Sequence, residues 1–237
     1  MTRASQNRAL MVVSAEGDEV PILTRRDRRA RRMTLRIDAA NDRAILVLPT
    51  WVPISEGLRF VRTKARWMRE KLNSLPPRER LEDGAQLTLF GMPLTIQHRS
   101  ELGAVVVRDG PWLYVGGTKE RMSVRLVVWL KAEARTRLAE RAGIMAARLG
   151  KTVKRVSVRD SRTRWGSCAA DGSLSFSWRL ALAPEDVSTY VVAHEVAHLV
   201  AMNHGPKFWK VVENLLPDHG GAKTWLSENG VRLLRHG

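Results

Sequence analysis

The sequence predicts an α+β fold in which a small mixed α/β N-terminal region precedes a C-terminal domain assembled around one buried helix. Two observations carry that expectation. Residues 191–204, V-V-A-H-E-V-A-H-L-V-A-M-N-H, hold three of the chain's six histidines, and nearly every other side chain from Val187 to Met202 is apolar, the mark of a helix buried on most of its circumference. Ahead of it, short alternating apolar runs broken by Gly and Asp-Gly read as strands, and two longer stretches with apolar residues at helical spacing read as helices.

In chain order, residues 1–19 are expected to be weakly ordered, 20–118 to form the N-terminal region and 119–237 the histidine-bearing domain. Met33, Leu35 and Ile37 alternate like a half-buried strand, and residues 44–48 read as its partner across an Asn41-Asp42 turn. Leu58, Val61, Ala65, Met68 and Leu72 follow helical spacing, so 55–72 is expected to be one amphipathic helix. Pro76-Pro77 lies in a connector. Four short strands come next, at 86–90, 94–98, 104–108 and 112–115. Residues 122–149 then read as a long helix, with Val124, Val127, Ala134, Leu138, Ala142, Met145 and Leu149 inward and Arg125, Lys131, Arg135, Arg141 and Arg148 outward. Strands at 153–158 and 173–178 flank S-R-T-R-W-G-S-C. Pro184, with Glu185 and Asp186 behind it, suits the start of the buried helix, which is expected to end near Met202. A further helix begins at Pro206, and a last short one around Trp225 is expected to stop at Gly230.

The buried helix carries the chemistry. His194 and His198 are spaced i, i+4, so their rings leave one face a turn apart and can close on a single ion, while Glu195 reaches the rim of that face. This is the H-E-x-x-H arrangement, in which two imidazoles bind zinc and the glutamate works on the attacking water. The bland alternative is a pair of histidines hydrogen-bonded within a core. Against it stands the cost of burying two imidazoles and a carboxylate on an apolar helix without partners. His204 is the natural third ligand, but six residues beyond His198 it would sit about 9 Å along a straight helix. The helix must therefore end and the chain fold back, and Asn203 with Gly205-Pro206 supplies that corner. Glu213 is the alternative third ligand. Cys168 could be a ligand, a reactive thiol or packing.

The formal charge of +16 over 237 residues implies an affinity for something anionic. Between Arg121 and Arg164 there are 13 Lys or Arg against 3 Asp or Glu, whereas from Trp165 to the C-terminus there are 6 against 7. A second basic run places six arginines between Arg25 and Arg32. Both are candidate surfaces for a polyanion, a nucleic acid or a nucleotide; the bland reading of the first is a solvated helix face, the commoner case, and of the second a strand edge kept from aggregating by charge. The single cysteine excludes an internal disulfide framework and fits a reducing compartment. Near the N-terminus the longest apolar run is five residues, too short for a signal-peptide core or a membrane span. A cytoplasmic protein without a membrane partner is expected.

R-W-G-S-C at 164–168, Y-V-V-A-H-E-V-A-H-L at 190–199 and M-N-H-G-P-K-F-W at 202–209 occur in an order that resembles the YgjP-like metallopeptidases, related to the SprT-like and WLM zinc proteases. The likeness extends more loosely to R-R-A-R-R-M-T-L-R-I and to the helix carrying Phe60 and Trp67. Metzincins share the histidine spacing but have a Gly where this chain has Ala201, which argues against that group. The resemblance implies a zincin-like metallopeptidase domain acting on peptides or proteins, with His194, His198 and His204 as zinc ligands and Glu195 as catalytic base. His219 departs from the aromatic residue expected beside Asp218. Arg164 and Tyr190 are candidates for contacting the substrate or the transition state. Two other readings stay open: a zinc hydrolase of a phosphoanhydride such as a nucleotide, and a nucleic-acid-associated protein with a structural zinc.

Overall fold

A computed structural model describes residues 8–13 by their backbone and residues 19–237 in full. The chain divides into two compact units, Met1–Pro77 and Arg78–Gly237.

In the first unit, β1 (Arg8–Val13), β2 (Glu19–Asp27), β3 (Thr34–Asp38) and β4 (Arg43–Pro49) form a sheet of order β1-β2-β4-β3. Only the β2/β4 pair is parallel. Residues 8–13, within the stretch expected to be weakly ordered, pair with β2; residues 1–7 and 14–18 lie outside the described residues. β3 and β4 meet across a turn in which Asp42 adopts a left-handed φ of 49°, a conformation Asp tolerates because its short side chain can bond locally. The helix expected over 55–72 is two helices, α1 (Ile54–Thr63) and α2 (Ala65–Asn73). At the break the Thr63 hydroxyl donates to the Phe60 carbonyl at 2.7 Å and the Lys64 amide tightens onto the Val61 carbonyl at 2.9 Å, so the last turn winds up instead of continuing. Val61, Ala65 and Met68 still bury against Ile22, Leu46 and Leu48 of the sheet.

In the second unit, β5 (Gln86–Leu89), β6 (Met92–Arg99), β7 (Val106–Asp109) and β8 (Trp112–Gly116) form a sheet of order β5-β6-β8-β7. Its apolar residues Leu87, Leu89, Leu94, Ile96, Leu113 and Val115 share one core with the long helix α3 (Met122–Arg148) and with the buried helix α4 (Glu185–Ala197). This places the boundary between the units at residue 77 and not at 118: the strands belong to the same core as the helices after them. Along α3 the buried face is Met122, Leu126, Leu130, Ala134, Leu138, Ala142, Met145 and Ala146. Val124, expected inward, is exposed. Several of the helix's outward arginines are committed to the fold. Arg125 donates to the Thr118 carbonyl at 2.8 Å, Arg141 pairs with Glu185 and donates to the Ser188 hydroxyl, and Arg148 donates to the Asn214 and Leu215 carbonyls.

A three-stranded sheet completes the unit. β9 (Arg155–Arg159), β10 (Gly166–Cys168) and β11 (Ser173–Ser177) run in the order β10-β11-β9, with β9/β11 parallel and β10 antiparallel to β11. β10 falls where only a connecting segment is expected from the sequence. α5 (Pro206–Leu215) and α6 (Gly220–Leu234) close the domain. α6 runs through Gly230 instead of stopping there, and a Cβ at that position would meet Trp165 Cζ2 at 3.2 Å. The glycine is a packing residue, not a terminator.

Candidate metal centre

α4 ends earlier than the apolar run suggests. Its last residue is Ala197, with His198 as the C-cap. The Leu199 and Val200 amides bond three residues back, to the Val196 and Ala197 carbonyls, each at 3.0 Å, which tightens the exit before Met202 is reached. That early exit returns His204 to the helix end. One ring nitrogen from each of His194, His198 and His204 lies within 4.8 Å of the others, and the facing Nε2 atoms of His194 and His204 stand 3.0 Å apart. Glu213, the other candidate third ligand, is exposed on α5 and lies outside this group; Cys168, half-buried on β10, is outside it too.

Phe208, fully buried at the start of α5, lies behind all three imidazoles, its ring centroid 4.9, 4.6 and 4.7 Å from those of His194, His198 and His204. An apolar wall on that side confines the rings and raises the cost of charging them. Burial pushes the His194 pKa down to about 4, helped by the neighbouring His198 and His204, so the ring is neutral at neutral pH. Burial also lowers that of His198. The His198 Nδ1 lies 3.1 Å from the Ala201 carbonyl. A carbonyl only accepts, so Nδ1 carries the proton and Nε2 keeps its lone pair.

Three imidazole nitrogens converging from a helix end and the turn beyond it suit an ion that favours nitrogen ligands and a tetrahedral shell. Two nitrogens bound at about 2.0–2.1 Å on such an ion stand about 3.3 Å apart, near the 3.0 Å between His194 and His204. The donor set fits a metal.

Glu195 is 6% exposed, and burial raises its carboxyl pKa to about 7, against an opposing pull from the Arg164 cation. Gly166 of β10 lies directly on this carboxylate. A Cβ there would sit 2.5 Å from Glu195 Cγ and 2.6 Å from Oε1, distances no side chain can occupy, so the close approach of strand to carboxylate requires glycine. Tyr190, one turn before His194, meets it edge to face at 6.1 Å and stacks on His219 at 5.8 Å. Burial and then Glu195 raise its phenol pKa. Trp209 is also nearly parallel to His219, at 6.3 Å. Cys168 is a half-buried free thiol whose pKa is raised by burial and then by Glu195 and Asp171, the opposite of an activated nucleophile.

The sequence-predicted residues His194, Glu195, His198, His204, Arg164 and Tyr190 thus gather at one place, joined by Gly166 and Phe208. For Gly166 the sequence points only to a tight loop, and Phe208 reads as ordinary core because helical spacing cannot say what an inward ring touches.

Helix end, convergent imidazoles and buried carboxylate make a group that could hold a metal ion beside a carboxylate. A family model described as the YgjP-like metallopeptidase domain matches residues 31–229. The chain belongs to the YgjP-like metallopeptidase family. No curated protein matches the chain. Among solved structures, the crystal structure of the metallopeptidase zymogen of Pyrococcus abyssi abylysin is similar at 22% identity, covering 42% of this chain and 97% of that one, with a TM-score of 0.36. Family membership makes the protein a metallopeptidase, with peptides as its substrates.

Proposed function

We propose that the protein is a zinc-dependent peptidase of zincin-like design in which His194, His198 and His204 hold the metal and Glu195 is the catalytic base. The observation that carries this reading is the convergence of three imidazole nitrogens within 4.8 Å beside a carboxylate whose pKa is lifted to about 7. Zinc in such a ligand set would supply Lewis acidity and a nucleophilic water at neutral pH.

The chain's own residues do the rest. Glu195, buried beside the three histidines, accepts a proton from the attacking water and delivers it to the leaving amine. Arg164 acts on the Glu195 charge and is the candidate for meeting a developing negative charge on the substrate. Tyr190, held by its stack on His219, stays a phenol and can donate a hydrogen bond. Phe208 keeps the rings in place and excludes water behind them.

A closed structural zinc site would normally take a fourth protein ligand and needs no buried carboxylate, so the structural-zinc reading finds no support. The polyanion reading also weakens: Arg125, Arg141 and Arg148 serve contacts within the fold. No described helix is long and apolar enough to cross a membrane. A cytoplasmic place of action rests on the single cysteine of the chain.

Replacing the outermost ligand tests the ligand set. His204→Ala is expected to lower zinc content, read by elemental analysis after dialysis, and to abolish hydrolysis of an unfolded protein such as casein. Full zinc occupancy in His204→Ala would remove His204 from the set.

A further inference from the structure

The three-stranded sheet has two unlike faces. Val156, Val158, Leu174 and Phe176 face the core. The alternate residues Ser157, Ser173 and Ser175 line a cavity of about 510 Å³ on the other face, whose rim carries Arg155, Arg159 and Arg164. All three arginines are exposed. Unlike Arg125, Arg141 and Arg148, Arg155 and Arg159 have no carboxylate or carbonyl partner among the described residues. The one carboxylate on the rim, Asp171, is already neutralised by Lys154 at 2.9 Å and by the Ser173 amide at 3.0 Å. A basin with a hydroxyl floor and a rim of unpartnered guanidinium groups is complementary to carboxylates, which the arginine forks and serine hydroxyls can both bond.

The basin borders the metal centre through β10. Arg164, Trp165, Gly166 and Ser167 line it, and Gly166 is the residue that presses on Glu195. β10 is the edge of the sheet, with Gly166 turned to the Glu195 side and Ser167 to the basin; β9 lies two strand spacings, about 10 Å, further in, so an extended polypeptide crossing that edge reaches it within several residues. Single-stranded nucleic acid would also meet positive charge here, but it binds through aromatic platforms as well. Of the two aromatic residues that line the basin, Phe176 is buried in the core and Trp165 packs its ring against Gly230.

We propose that this basin is a specificity subsite that recruits an Asp/Glu-rich segment of the polypeptide substrate lying within a few residues of the bond presented to Glu195. The proposal rests on the peptidase reading, and its test separates the two. Two fluorogenic peptides share one core sequence, one flanked by Asp and Glu, the other by Asn and Gln. Each is assayed for binding by fluorescence anisotropy and for cleavage, with the zinc-loaded full chain and with an Arg155→Gln/Arg159→Gln variant.

The wild type is expected to bind and cleave the acidic peptide several-fold better than its neutral counterpart. The double variant should lose about fivefold on the acidic peptide, two exposed ion pairs' worth, with the neutral peptide and the zinc content unchanged. The wild-type preference should shrink between about 0.1 M and 1 M salt, as the screening length drops from about 10 to 3 Å. A charge-reversed Arg155→Glu/Arg159→Glu variant should prefer a Lys-flanked peptide. Equal handling of both peptides by the wild type, or equal losses on both in the double variant, would overturn the subsite. So would displacement of the acidic peptide by a much lower concentration of a single-stranded oligonucleotide of the same charge, which would make the face a nucleic-acid interface. Retained acidic preference in binding with no cleavage of either peptide would support the basin and refute the peptidase reading.

Discussion

Glu195 and Gly166 depend on each other more closely than any other pair at the site. With 2.5 Å between a Cβ at position 166 and Glu195 Cγ, Gly166→Ala must push the carboxylate aside or lift β10 away. Misplacement of a reacting group by about 1 Å can cost about a hundredfold, so Gly166→Ala is expected to lower kcat/KM on that order while zinc content holds. Elemental analysis beside peptide hydrolysis checks it. The carboxyl also titrates in the metal-free protein. Its pKa is raised from 4.5 to about 7 by burial, so between those pH values the folded state keeps a proton that the unfolded chain has lost, and stability falls as pH rises, by about 3 kcal/mol in all. His194, lowered from 6.5 to about 4, works in the opposite sense: the unfolded chain holds the extra proton, and stability rises from about pH 4 to 6.5. The two slopes oppose each other through pH 4.5–6.5, and Glu195 acts alone from 6.5 to 7. Urea unfolding of the metal-free chain should therefore show stability declining toward pH 7 in the wild type and no such decline in Glu195→Gln. The imidazoles and the glutamate are legible from three letters and their spacing; Phe208 beneath them is not, because period 3.6 marks a residue as inward without saying which inward group it meets.

At the level of elements, the helices and strands with clean periodicity emerge where their pattern places them, and the departures have local causes. α4 stops at Ala197 because three-residue hydrogen bonds tighten its exit, although Leu199 and Val200 continue the apolar run; a run of apolar residues marks burial, not helix length. α1 and α2 part where a threonine hydroxyl competes for a backbone carbonyl. β10 is only three residues long, too short to show alternation, and its place beside the site comes from tertiary packing. Gly230 reads as a helix end because glycine is common there, yet it sits within α6 against Trp165. Replacing an exposed mid-helix glycine gains about 1 kcal/mol, whereas overpacking a filled contact costs about 1–3 kcal/mol. Gly230→Val is therefore expected to destabilise, read as a lower urea midpoint, and because Trp165 leads directly into Gly166 it should lower peptide hydrolysis as well. A gain in stability would show that Trp165 can yield.

Taken whole, the molecule is two cores on one chain. The strands between residues 86 and 116 carry no mark in the sequence that assigns them to the α3 and α4 helices, which is why the N-terminal region reads as running to residue 118, just before the long helix; their side chains join the core of those helices, and the division falls at Pro77. A fragment comprising residues 78–237 has all of the metal centre and its own core, and it retains the Glu79–Arg232 ion pair at 2.8 Å. It is expected to unfold cooperatively and to bind zinc as the full chain does, checked by calorimetry with and without metal. The net charge of +16 speaks of an anionic partner without locating it; the arginines that look alike in sequence separate in three dimensions into those tied to backbone carbonyls and those left over a serine floor. The central claim, a metal held by three histidines with Glu195 as base, meets its most direct test in zinc content and peptide hydrolysis measured on the same preparations of wild type and Glu195→Gln. The account predicts about one zinc per chain in both proteins and a loss of about 10²–10⁴-fold in hydrolysis in the variant; a zinc-loaded Glu195→Gln protein that cleaves as fast as wild type would contradict it.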